Sequence, residues 1–297
     1  MSFKSGFVTI VGRTNVGKST LLNKIIGQKI VITSDKPQTT RQRLKGVYTN
    51  DEGQIVFIYT PGIHKPKYKL GEFLIDETKT ALPDADVILF LVDGSEKAGN
   101  GDKWVAENLL QTKQKIILVI NKVDLIKDLK KRDEIIETYK KLFDKPFDTI
   151  KVSAKTGRNI DTLIKNIFKN FNDGPKYYND DEITDQNMRL ITQEIIREKV
   201  LLLTQDEIPH SCAVVINNFE ENEKIVKIKA TIHVEHDSQK GIIIGKKGLM
   251  LKNIGSQARE EIEELVENKV FLELFVKVSK NWRKNANLLK DFGYTQE

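Results

Sequence analysis

FVTIVGRTNVGKS, Phe7 to Ser19, joins a largely apolar run to a glycine-rich loop. The run Phe7–Val11 reads as a strand, and the residues after it open a helix. Gly12 to Ser19 match G-x-x-x-x-G-K-[ST] in full, in the strand-then-helix setting that the motif requires. Gly12 and Gly17 allow the backbone of Arg13, Thr14, Asn15 and Val16 to curl its N–H groups around phosphate, and a helix N-terminus adds positive potential. Lys18 would reach the β and γ phosphates, and the Ser19 hydroxyl would ligate Mg²⁺.

Up to about residue 170, strand and helix candidates alternate. LKGVYT, QIVFIY, VILFLVD, KIILVIN and TIKVSA follow the first strand. Several are continuous apolar runs, as in strands buried on both faces of a mostly parallel sheet. The expected fold is an α/β doubly wound domain with its ligand at the carboxyl ends of the strands. Two short segments stand at such ends. In NKVD, Asp124 can accept from the N1–H and exocyclic amine of guanine, while adenine would leave the carboxylate unpaired. Asn121 would brace the loop and the ring, the stem of Lys122 would cover one ring face, and Val123 completes the segment. In SAK, Ser153 to Lys155, the Ala154 N–H would face the guanine oxygen, with Ser153 and Lys155 beside it. Together they select GTP and GDP over adenine nucleotides.

The chain has 297 residues, which is more than one core usually serves, so two domains are expected. With 39% hydrophobic and 30% charged residues it reads as a soluble globular protein of the cytoplasm. Its longest apolar run, Val87–Val92, is far too short to span a membrane. The N-terminus lacks the pattern of a signal peptide. The single cysteine, Cys212, cannot close an intrachain disulfide, and four histidines with one cysteine argue against a zinc site. The net charge of +6 favours anionic partners. Lys277, Lys280, Arg283, Lys284 and Lys290 form an acid-free basic stretch that follows the acidic REEIEELVEN.

Residues 1–172 are expected as the nucleotide domain, 173–182 as a linker and 183–297 as a small α+β domain. In the last, a helix carries apolar Met188, Ile191, Ile195 and Leu202. Val226, Ile228, Ala230, Ile232 and Val234 alternate as in a half-exposed strand. Leu251, Ile254, Ala258, Ile262 and Leu265 share one helical face. Between them GIIIGKKG, Gly241 to Gly248, places Lys246 and Lys247 between Gly245 and Gly248, in a loop suited to RNA backbone. Ile242, Ile243 and Ile244 would supply apolar surface under the bases. Lys252, Lys280 and Arg283 would extend the track, and Trp282 reads as a core or lid residue.

These motifs, with PQTTR (Pro37–Arg41), TPGIHKP (Thr60–Pro66) and NWR…FGY, run almost end to end, and by them the chain resembles the Era family of bacterial GTPases with a C-terminal type II KH domain. The resemblance implies a monomeric GTPase that binds the 3′ end of small-subunit ribosomal RNA and acts in 30S assembly. It also implies peripheral contact with the inner face of the membrane. It assigns Tyr59, Thr60, Pro61, Gly62 and Ile63 to the γ-phosphate segment, with Gly62 reading that phosphate through its N–H. Tyr59 stands where the family carries Asp, and a phenol is neutral at pH 7. A weaker hold on Mg²⁺ and slower hydrolysis are expected, with a nucleotide-gated RNA-binding module of very slow turnover as the alternative. Ile63 cannot orient water, so the water falls to backbone or switch groups, or to a K⁺ ion that Asn15 would help to hold. Thr40, in preference to Thr39, is expected to give a second hydroxyl to Mg²⁺.

Overall fold

A computed structural model describes residues 2–33, 41, 43–62, 69–143, 147–205 and 208–294, with backbone only for Pro209 and His210. The chain forms two units, one of Met1–Val31, Thr40–Lys67 and Gly71–Asp185, the other built mainly on Gln186–Glu297. Thr39, Thr40, Ile63 and most of PQTTR lie outside the described residues.

In the first unit, the apolar runs became strands β1 (Lys4–Val11), β2 (Leu44–Asn50), β3 (Gly53–Tyr59), β4 (Val87–Asp93), β5 (Lys115–Asn121) and β6 (Asp148–Lys151). They form one sheet in the order β2-β3-β1-β4-β5-β6. Only β2 is antiparallel, because Asn50 turns the chain back at once. Its Oδ1 accepts from the N–H groups of Glu52 and Gly53, which closes a tight hairpin. The helices are α1 (Lys18–Ile26), α2 (Lys69–Ala81), α3 (Asn100–Leu109), α4 (Leu129–Lys140) and α5 (Ile160–Phe168). Helices α1 and α5 pack Leu21, Leu22, Leu163 and Ile167 on one sheet face, and α2, α3 and α4 pack Ile75, Val105 and Ile135 on the other. Every residue of β3 and β4 is therefore buried, which explains their unbroken apolar sequences.

Residues 173–182, expected as a linker, group with this first unit. Gln54 Oε1 accepts the N–H groups of Tyr177 and Tyr178, and just beyond that segment Thr184 bridges to Gly46 of the edge strand β2. Backbone bonding of this kind requires no apolar pattern.

The second unit runs α6 (Met188–Leu203), α7 (Ile208–Ser211), β7 (Ala213–Asn222), β8 (Ile225–Val234), α8 (Asp237–Ile244), α9 (Leu249–Val266), β9 (Val270–Val278) and α10 (Ala286–Asp291). A three-stranded sheet, β7-β8-β9, pairs β7 with β8 antiparallel and β8 with β9 parallel. All five alternating positions of β8 are buried, against Ile254, Ala258 and Ile262 of α9 and Ile195, Ile196 and Val200 of α6. Leu202, in the last turn of α6, is exposed instead. Trp282 is fully buried and donates its indole N–H to Ser211 O at 2.9 Å, which makes it a core residue. Among the described residues no helix is long and apolar enough to cross a membrane.

Candidate functional site

Four strands of the first sheet bring their carboxyl ends to one edge, with Ile10 beside Tyr59, Val11 beside Phe90 and Asp93 beside Asn121. The phosphate-type loop leaves β1 there. Gly17 caps α1 with φ 96° and, having no side chain, leaves the first N–H groups of the helix facing an anion's natural place. Lys18 is buried, and its Nζ donates to Gly12 O at 2.9 Å and Arg13 O at 2.8 Å. Burial, then the neighbouring Arg13 guanidinium, brings its pKa from 10.5 down to about 7. An anionic phosphate would reverse that shift. The Arg13 side chain turns away to Glu96 and the buried Asp102 of α3, which pins the loop. Gly62 packs against Thr14 and Lys18, so close that a Cβ there would lie 3.1 Å from Lys18 Nζ. Thr60 is buried with its hydroxyl on Ile10 O, and Pro61 is buried beside it; both anchor the end of β3.

Asn121 connects the loops. Its Nδ2 donates to Val16 O at 2.8 Å and its Oδ1 accepts the Ala154 N–H at 2.9 Å. Asn121 thus ties the phosphate loop to the SAK segment. The Ala154 N–H, expected to face the guanine oxygen, is donated to Asn121 Oδ1 in this structure. Ser153 is buried and shapes its own turn, accepting from the Thr156 N–H, while Lys155 is exposed. Lys122, at φ 60°, stretches its stem so that Nζ reaches Asn15 O at 2.8 Å and Asp93 Oδ2 at 2.6 Å. Burial alone would raise the Asp93 carboxyl, but the bonds from Lys122 and Ser95 outweigh it and hold it below the usual range. Asp93 escaped the sequence analysis, although it follows an apolar strand in VILFLVD. Val123 is core. Asp124 Oδ1 is buried and has no hydrogen-bond partner among the described residues. A buried acceptor without a donor is costly unless a ligand supplies one.

Ser19 Oγ lies 2.7 Å from the Tyr59 hydroxyl. The phenol, bulkier than a carboxylate, is accommodated in the core and bonded to Ser19. Among the described residues no group of three or more His, Cys, Asp or Glu could hold a metal ion. A hard cation would here meet Ser19 Oγ and phosphate oxygens, a donor set suited to Mg²⁺.

In the second unit, Gly245 ends α8 with φ 70°, Lys247 adopts φ 53° and Gly248 begins α9 with φ 77°. Lys246 and Lys247 are exposed. Beside them an open groove of about 400 Å³ is lined by Gly248, Leu251, Lys252, Gly255, Ser256, Arg259, Leu272 and Leu274. Its floor of leucines beside two cations suits bases and phosphates together. Ser256, Arg259, Leu272 and Leu274 were not foreseen; the alternation of β9 puts the two leucines on one face but does not say that α9 meets them. Ile242 is exposed and Ile244 half-buried, whereas Ile243 is fully buried in the core and offers no surface to a base. Gly241 is exposed, as is Lys280. Arg283 is paired with the buried Glu235, an ion pair inside the unit rather than part of a basic track.

The family described as "50S ribosome-binding GTPase" matches residues 7–122, and the family described as "KH domain" matches residues 207–283. GTPase Era of Nostoc sp. is 50% identical over 99% of this chain and 91% of its own length. The chain belongs to the Era family of GTPases. GTPase Era of Alkaliphilus metalliredigens is likewise 50% identical, over 99% of this chain and 100% of its own. Two solved Era structures are similar along the whole chain. One is a variant of Aquifex aeolicus Era bound to GDP·AlF4⁻, with a TM-score of 0.94, 40% identity and coverage of 99% of this chain and 100% of that one. The other is Era in complex with MgGDPNP and nucleotides 1506–1542 of 16S ribosomal RNA, with a TM-score of 0.95 and the same identity and coverage.

Proposed function

We propose that this chain is a GTP-hydrolysing ribosome assembly factor that binds the 3′ end of small-subunit ribosomal RNA through its KH unit. The observation that carries the nucleotide assignment is Asp124 Oδ1, buried and without a donor among the described residues, on a loop that Asn121 ties to the phosphate loop. Guanine supplies the adjacent N1–H and amine donors that a carboxylate there needs, and adenine has no matching pair. The N–H groups opening α1 and the Lys18 ammonium would stabilise charge on the transferred phosphoryl group. Bound Mg²⁺, held by Ser19 Oγ and phosphate oxygens, would neutralise further charge. Asn15, exposed at φ 64°, is where a K⁺ ion would meet the loop. The exposed lysine pair and the apolar groove favour single-stranded RNA as the KH ligand, and the RNA-bound Era structure supports the same choice.

Single-turnover GTP hydrolysis, with and without an RNA of the 16S 3′ end, tests the assignment. Specific RNA binding and hydrolysis that responds to that RNA are expected; ATP used as well as GTP would refute it. The Tyr59–Ser19 contact favours one further reading, a nucleotide-gated RNA binder with slow turnover, which the same assay separates by its rate. Peripheral membrane contact stays part of the proposal and is tested by co-sedimentation with anionic vesicles.

A further inference from the structure

Tyr59 ends β3 with its ring in the core shared with α1, 2% exposed, and its hydroxyl 2.7 Å from Ser19 Oγ. A serine hydroxyl that gives a lone pair to a cation still carries a proton, and that proton needs an acceptor. The phenol oxygen stands where it can accept it. Unlike a carboxylate, a phenol does so without adding negative charge.

Resting on the nucleotide site proposed above, we propose that Tyr59 is the positioning residue of Ser19, and that its neutral phenol makes retention of guanine nucleotide nearly independent of Mg²⁺. A carboxylate at this strand end would orient Ser19 as well. It would also stand as a bare anion near the phosphates whenever the cation was gone, weakening their hold by about 10- to 100-fold. With the phenol that repulsion is absent. The metal-free and metal-bound sites then differ mainly by the cation's own bonds. Ser19 keeps its orientation in both, because its partner is part of the core rather than of the metal shell.

The test is release of a fluorescent GDP analogue from the full chain, in EDTA and across a Mg²⁺ titration. Wild type, Tyr59→Phe and Tyr59→Asp are compared. Wild-type release should quicken in EDTA by less than about tenfold, and that of Tyr59→Asp by about 100-fold. Tyr59→Phe keeps the ring but removes the partner of Ser19. Its EDTA rate should match wild type, while its Mg²⁺ midpoint rises about 3- to 10-fold. An unchanged midpoint in Tyr59→Phe overturns the positioning role. A wild-type acceleration of about 100-fold overturns the charge argument, and this outcome needs no folded Tyr59→Asp. A strong Mg²⁺ requirement with normal GDP binding overturns this inference alone, whereas no GDP binding at any Mg²⁺ concentration overturns the nucleotide site with it.

Discussion

Two glycine-led loops open helices in this chain, and they are built on opposite plans. At Gly17, before α1, a Cβ would lie 2.3 Å from Asn121 Nδ2, whose position is fixed by its bonds to Val16 O and Ala154 N. At Gly248, before α9, a Cβ would meet nothing within 4 Å. Both glycines have positive φ, 96° and 77°. Lys18 is buried among carbonyls, while Lys246 and Lys247 stand in solvent. The first loop uses glycine to press the protein against itself and so encloses its ligand. The second uses glycine to turn the chain while leaving room for a ligand to approach.

Gly17→Ala should have the largest effect. The methyl has to displace Asn121, and the expected cost is about 4 kcal/mol of stability, together with loss of nucleotide binding. Urea denaturation followed at Trp104 in α3 measures it; a loss below about 1 kcal/mol would mean that the phosphate loop is not held by internal contact.

The second unit is expected to be sensitive elsewhere than in its loop. His233 is buried, with its ring on Phe292 and Nδ1 at 2.9 Å from Ser279 Oγ. Burial, then Lys277, lowers its pKa from 6.5 to about 4. Between those values the unfolded chain binds a proton that the folded chain refuses. Stability is therefore full above pH 6.5 and falls as the pH drops toward 4, by at most about 3 kcal/mol. Denaturation followed at Trp282 across that range should show the loss, and His233→Asn should flatten it.

Asp124→Asn contrasts enclosure with approach in binding. GTP affinity should fall about 100-fold with little dependence on salt, and xanthosine nucleotides should gain, because donor and acceptor are exchanged. Replacing Lys246 and Lys247 with Asp should weaken RNA binding about tenfold and lower the salt slope by about 2, leaving GTP binding alone. An unaltered slope would remove the loop from the RNA interface. Gly248→Ala should cost least in stability, about 1 kcal/mol of backbone strain. If it costs as much as Gly17→Ala, the two loops do not differ as described.

Much of this was legible in the sequence because local chemistry fixes it. The phosphate loop needs a glycine, lysine and serine at set spacing, and β8 shows its buried face by strict alternation. What escaped notice depends on pairing between distant residues. Arg283 reads as part of a basic run until Glu235, 48 residues away, is found beside it. Residues 173–185 are polar and aperiodic, yet they are held by the edge of β2 and by Gln54. The direction of β2 could have been read from Asn50, whose side chain closes the hairpin with Gly53. The bond from Tyr59 to Ser19 spans 40 residues and leaves no periodic trace.

Asn121 bonds to Val16 O, a group every residue possesses, and to Ala154 N–H, which every residue but proline possesses. The side chains at 16 and 154 are therefore constrained by the core they pack in rather than by the link, while Asn121 itself has almost no latitude. The evolutionary constraint that the link places on three stretches of chain is thus gathered at one position. A library that randomises all three should return only small or apolar residues at the buried positions 16 and 154 among survivors, and asparagine nearly every time at 121.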